Sequence, residues 1–335
     1  MTYRTIRRAA AAATIGTLLF ASAFEATKIY ADQPSSGERL DEVLVTGVRP
    51  GPGLWRVSKG GHDLWILATL TPLPKQMTWR SKAVEARIAK SKVVLAPPEI
   101  SADSGIFHFH HFPELLSEHR SRDGLTLDQG MPDEFYARWI ILKKRYLGRY
   151  DERMRPLVAA SDLFREAVDQ SQLTYDEAVW RLVSKIARRR SVPILPVTVR
   201  IRVEHPDAWV EAFNEIPRTQ EMQCLDTAIE QIETDLRPMA QRANMWSIGD
   251  IKGLKLMQYP DDRSTCFNTL FSVPQIRDQL LQAQDQLSAR WLAAADGVIE
   301  KYGSSFAVLP IGELLKPGGW IAKLRAKGYA VAEPQ

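Results

Sequence analysis

The sequence is poor in the residues that announce common chemistries. Cysteine occurs twice, at Cys224 and Cys266, so there is no paired Cys-x-x-Cys for a thiolate metal site. There is no phosphate-binding glycine-rich loop, no Gly-x-Ser-x-Gly elbow and no His-Glu-x-x-His. Those absences exclude particular nucleotide-binding, hydrolase and metalloprotease families, though not enzymes in general. Concentrated positive charge is also scarce. The net charge is +4, and Arg4, Arg7 and Arg8 account for part of it. Nucleic acid is therefore not expected as a partner. Arg188-Arg189-Arg190 is the one dense basic run. It sits at the end of a predicted helix, where cations suit the negative end of the dipole. No later run is apolar enough for the roughly 20 residues a membrane span needs, and no short-period repeat occurs.

What is present is an ordinary globular balance. Hydrophobic residues make up 45% and charged residues 25% of 335, enough for one large core or two smaller ones. Residues 1–31 read as an export signal. A charged start is followed by the uncharged run from Ala9 to Phe20 and by small residues suited to cleavage after Ala23 or Ala31. The alternative is an uncleaved anchor in the inner membrane. Export implies an oxidising, periplasmic setting and therefore a Cys224–Cys266 disulfide, with two buried thiols as the other reading.

Residues 32–53 read as a flexible linker rich in proline and glycine. Inside it, Leu40 to Gly47 resembles the TonB box of outer-membrane transporters, which pairs with the sheet edge of a partner. The preferred reading is an edge strand of this protein's own sheet. Two runs rich in aromatic and branched residues then flank Gly60-Gly61, from Leu54 and up to Pro74. That pattern predicts a β-hairpin whose second run, with Trp65, Ile66 and Leu67 in succession, is buried on both faces.

The spacing of apolar residues predicts a helix from Thr78 to Ser91 and a short strand from Lys92 to Pro97. Helices begin at Pro132 and Pro156. Thr174-Tyr175-Asp176-Glu177 reads as a capping box before another. The stretch 191–199 is a strand interrupted by two prolines, which places it near an edge. Residues 206–248 are mainly helical, with Pro238 expected to kink or break the run and Asp250 placed to cap the next helix. A long helix follows from Pro274 to Tyr302. A strand from Ser305 to Leu309, a short helix from Trp320 and a last strand from Tyr329 complete the chain. Strands cluster near both ends of residues 54–335. The expected fold is a single α/β domain: a central mixed sheet built from N- and C-terminal strands and covered by helices, with a large helical insertion in the middle.

The visible metal-type cluster is His108, His110 and His111, followed by His119. Imidazoles bind zinc or copper, and alternate positions of an extended segment share a face. No carboxylate stands at ligand spacing, so a solvated loop is the preferred reading, and no cofactor is assigned.

Several pieces occur in a fixed order. They are Leu54-Trp55-Arg56-Val57, then Leu67-Ala68-Thr69-Leu70-Thr71-Pro72-Leu73-Pro74, Arg155-Pro156, Trp246-Ser247-Ile248-Gly249-Asp250, Pro310-Ile311-Gly312-Glu313-Leu314 and Gly328-Tyr329-Ala330-Val331. In this order the chain resembles the TraB/GumN family, which is related to the Tiki metalloproteases. The resemblance implies a cleft at the ends of neighbouring strands, where relatives are thought to hold a divalent metal with two histidines and a glutamate. Here those positions carry Thr71, Glu313 and Ala96, and the glycines nearby are Ala68 and Pro310. A threonine hydroxyl is a poor zinc ligand and alanine is none. The expectation is a remnant site of Ala68, Thr69, Thr71, Ala96, Pro310 and Glu313 that binds a protein or small ligand of the cell envelope without catalysis. The alternative is a metal-dependent or rearranged-site hydrolase or peptidase using Glu313 and Thr71, with Thr69 and Asp63 as further candidates.

Overall fold

The Lys59–His62 turn shows how local sequence sets the sheet. Gly60 and Gly61 have φ of +61° and +82°, values that branched residues resist and that a two-residue hairpin turn demands. The turn joins β1 (Leu54–Lys59) to β2 (His62–Thr69) in antiparallel register, with Trp55 opposite Ile66. The computed structural model describes residues 49–102, 119–202, 211–257 and 273–334. Residues 1–31, read above as an export signal, and Leu40 to Gly47, His108, His110, His111 and Cys266 lie outside those residues. Among the described residues no helix is long and apolar enough to cross a membrane.

Further elements follow in chain order: β3 (Leu73–Pro74), α1 (Lys82–Lys90), β4 (Val94–Ala102), α2 (Asp133–Leu142), α3 (Pro156–Gln170), β5 (Leu173–Thr174), α4 (Ala178–Arg189) and β6 (Ile194–Ile201). Then come α5 (Arg218–Ile248), α6 (Ile251–Leu256), α7 (Pro274–Lys301), β7 (Ser304–Pro310), α8 (Ile311–Leu315), α9 (Trp320–Ala326) and β8 (Ala330–Ala332). Six strands form one mixed sheet in the order β6-β4-β7-β2-β1-β8. The N- and C-terminal strands thus meet, as expected. β7 lies parallel to both β2 and β4 because its connections to them are long and helical. The proline-bearing β6 is an edge strand, as its missing donors require.

Two cores form. One joins the sheet to α1, α4 and α7 and includes Trp55, Ile66, Leu95, Trp291, Phe306 and Val308. The other is helical, with Trp139, Leu157, Leu163, Leu225 and Ile229 buried between α2, α3 and α5. This is the expected helical insertion. Helix α5 crosses from one core to the other. Its Ile232 and Leu236 lie in the helical core, and its Ala243 and Trp246 in the sheet core.

Of the two outcomes expected for Pro238, a break does not occur: the residue lies inside a continuous helix from Arg218 to Ile248. Both halves are anchored by packing. A buried ion pair also brackets the proline, with Arg242 donating to both oxygens of Asp235 at 2.8 and 2.7 Å. The helix does end where expected, at Gly249 in the left-handed region (φ +74°), and Asp250 caps α6 by accepting from Gly253 N–H at 2.8 Å.

Three further expectations change. Thr174 is not a helix cap. It belongs to β5, where its hydroxyl accepts from Asp176 N–H, and α4 starts at Ala178 with no side-chain cap. Trp65 is half-buried, and the Arg87 guanidinium lies over its ring, 3.7 Å from the centroid. β4 does not stop near Ala96 but runs to Ala102, with its register shifted between Leu95 and Pro98. Two consecutive prolines cannot keep the ladder, so the strand bulges and resumes. The last residues of the stretch 32–53 are held against the domain, with Gly51 N–H donating to Ser247 O at 3.0 Å and Arg49 bridging to Trp79.

Candidate functional site

The carboxyl ends of parallel strands are where an α/β sheet leaves room for a ligand, since chain crossing to opposite faces opens a crevice there. In this sheet that edge gathers the residues singled out from sequence. Ala68 pairs with Leu309, and Thr69 with Pro310. The Thr69 hydroxyl donates to Leu309 O at 3.3 Å, tying the two strand ends together. Leu95 pairs with Ala307, so Ala96 begins the same edge on β4. Pro310 has φ of −58° and opens α8 directly, which places Glu313 in its first turn. Thr71 follows two residues after β2 and is exposed, whereas Glu313, Ala96 and Thr69 are half-exposed.

The floor below is built from aromatic rings. Trp246 on α5 is 1% exposed and its indole N–H donates to Ala68 O at 2.9 Å. Trp79 meets the Trp246 ring edge-on, with centroids 5.8 Å apart. Sequence reading placed Trp246 in a family motif but not at the site. A tryptophan on a helix surface gives no hint that its N–H reaches a strand carbonyl 178 positions earlier.

The wall behind Glu313 depends on a glycine. A Cβ added at Gly319 would lie 2.6 Å from Glu313 O and 2.9 Å from Lys316 O. Backbone oxygens cannot yield as a flexible side chain does. Gly319→Ala should therefore lower unfolding free energy by about 1–3 kcal/mol, read as a reduced urea midpoint. A midpoint equal to that of the parent would show that the loop behind Glu313 is loosely packed.

The arrangement offers little for metal chemistry. Of the sequence-picked residues at this edge, only Glu313 is a strong ligand type. Among the described residues, Glu313 and Thr71 share no hydrogen bond, and no three histidine, cysteine, aspartate or glutamate side chains stand close enough to hold one ion. A second carboxylate that sequence reading passed over, Glu99, is brought toward the same end because β4 continues past its prolines. It pairs in register with Thr198 on β6 and is exposed. The signal that could have found it is the acid two residues after Pro97, once the strand is allowed to bulge. Asp63 lies at the opposite end of β2, in an ion pair with Arg56 at 2.8 Å, and so is not part of this edge. Cys224 is buried on α5. His119 is the one member of the histidine group within the described residues, next to a hollow lined by Arg120, Ser121, Arg122 and Met154.

The TraB/PrgY/gumN family model matches residues 53–333. No curated protein and no solved structure matches the chain.

Proposed function

The chain belongs to the TraB/PrgY/gumN family, and from that premise we propose that it is an exported, non-catalytic member that binds a ligand or partner in the cell envelope. The observation that carries the reading is the donor set at the carboxyl ends of β2, β4 and β7. Ala68, Thr69, Thr71, Ala96 and Pro310 lie at or just beyond these ends, with Glu313 in the first turn after Pro310 and Glu99 farther along β4. A divalent metal needs several anionic or imidazole donors in fixed positions, and these residues do not fit one. General acid–base chemistry needs a second polar group in hydrogen-bond reach of Glu313, and Thr71 does not supply it. What remains suits recognition: a half-exposed carboxylate, two hydroxyls and a rigid aromatic floor.

The residues before the domain support delivery to the periplasm by an export signal, and the Cys224–Cys266 disulfide belongs to the same proposal. Metal analysis of the protein purified from the periplasm tests the site. The expected result is sub-stoichiometric zinc and manganese, with no change in content for Glu313→Gln. Near-stoichiometric metal that Glu313→Gln removes would overturn the reading. Metal retained by that variant but lost from His110→Ala would move the ion to the histidine loop and leave the cleft reading intact.

A further inference from the structure

The end of the sheet opposite the candidate cleft carries an unneutralised cluster of cations. Helices α1 and α4 pack side by side on one sheet face. Each runs antiparallel to the strand that follows it, so both helix C-termini emerge where β4 and β6 begin. Those strand starts are neighbours, with Val94 paired to Ile194 and Val94 N–H donating to Pro193 O at 2.9 Å. The α1 side contributes Lys90 and Lys92. The α4 side contributes Lys185, Arg188, Arg189 and Arg190. All six are exposed. None of their side chains has a hydrogen-bond or ion-pair partner among the described residues.

Glu85 and Asp176 stand at the far, N-terminal ends of α1 and α4, where Glu85 accepts from Ser81 at 2.6 Å and Asp176 pairs with Arg181 at 2.8 Å. Asp63, at the start of β2, pairs with Arg56. Two helix C-termini account for favourable placement of a cation or two in each last turn. They do not account for six cations, with no counter-charge, drawn from two helices and a strand start. Mutual repulsion in such a group opposes folding unless something anionic covers it.

We propose that this end of the sheet is a docking surface for an anionic phospholipid bilayer. Long lysine and arginine stems reach a headgroup plane without needing a shaped pocket. Residues 1–31, with their charged start and apolar run, read as a segment that brings the chain to a membrane, and away from nucleic acid. Docking by this end leaves the carboxyl ends of β2, β4 and β7 facing away from the lipid. The proposal shares only delivery to the envelope with the function proposed above, and its failure leaves the cleft reading untouched.

The test is sedimentation of the full chain with vesicles of phosphatidylglycerol and phosphatidylcholine, against vesicles of phosphatidylcholine alone. The apolar N-terminal run binds both kinds, so the quantity read is the difference between them. The triple variant Lys185→Gln/Arg188→Gln/Arg189→Gln should weaken binding to the anionic vesicles by of order 100-fold. Its binding to neutral vesicles should be unchanged. Raising salt should erase the preference of the parent. A control neutralising Lys144, Arg145 and Arg149 on the helical part should keep the preference, with urea midpoints confirming that both variants fold. Equal anionic binding by parent and patch variant, or an equal loss in the control, overturns the proposal. So does a parent that binds a DNA duplex more tightly than the vesicles and loses that binding with the patch.

Discussion

Truncating Glu221 to alanine should lower the unfolding free energy by about 3–5 kcal/mol, seen as a large fall in urea midpoint. The side chains of Arg155 and Glu221 are 5% and 4% exposed. Arg155 Nε donates to Glu221 Oε1 at 2.9 Å, and its remaining nitrogens reach Asn214 Oδ1 at 3.2 Å and Phe213 O at 3.0 Å. The Leu157 N–H at the start of α3 also favours the ionised Glu221 carboxylate, as does the positive end of the α3 dipole. One residue therefore joins two helices and neutralises a buried guanidinium. Alanine leaves the guanidinium charged and short of acceptors, whereas Arg155→Met/Glu221→Leu should lose much less than the two single changes together. A double-variant loss equal to the sum of the two single losses would show that the pair is not coupled.

The same carboxyl gives the pH dependence its sign. Burial pushes Glu221 above the usual carboxylate range, opposed by the Arg155 hydrogen bond. A group whose folded-state pKa is raised stabilises fully below its unfolded pKa, about 4.3. That contribution is lost as pH rises through the folded value. The advantage of the parent over Glu221→Gln should therefore shrink as pH rises across this window. An advantage that grows with pH would mean the arginine, not burial, dominates.

Trp246→Ala should cost a comparable amount, about 3–5 kcal/mol, and it should act on the cleft as well as on stability. The ring lies in the sheet core and edge-on to Trp79. Its N–H is the donor to Ala68 O at the end of β2. Trp246→Phe separates the two roles. It keeps most of the packing and removes the donor, for an expected loss of about 1–3 kcal/mol from the unsatisfied carbonyl. Amide exchange at Thr69 and Leu70 should speed up in Trp246→Phe while that of β4 stays near the parent. Unchanged exchange at Thr69 and Leu70 would show that β2 needs no support from α5.

These two residues also show what could be read before the fold was known. Arg155-Pro156 and Trp246 stand out in the sequence as pieces in a fixed order. Their work depends on Glu221 and Ala68, which lie 66 and 178 positions away. Pairings at such distances leave no periodic trace. The bulge in β4 is similar. Pro97-Pro98 signals an interrupted ladder, but only continued pairing with β6 shows that the strand resumes and carries Glu99 to the edge.

By itself the sequence determined the hairpin, the helix stripes, the edge position of β6 and the end of α5 at Gly249. These depend on glycine and proline geometry and on hydrophobic period, which act within a few residues. It also determined which residue types stand at the candidate edge, and so which metal donors are missing there. Only the tertiary structure decided that α5 runs through Pro238, because packing in two cores and the Asp235–Arg242 pair outweigh one lost hydrogen bond. It alone decided that Ala68, Ala96 and Pro310 share one edge with Glu313 in the turn beyond, because parallel pairing of β2, β7 and β4 joins segments more than 200 residues apart.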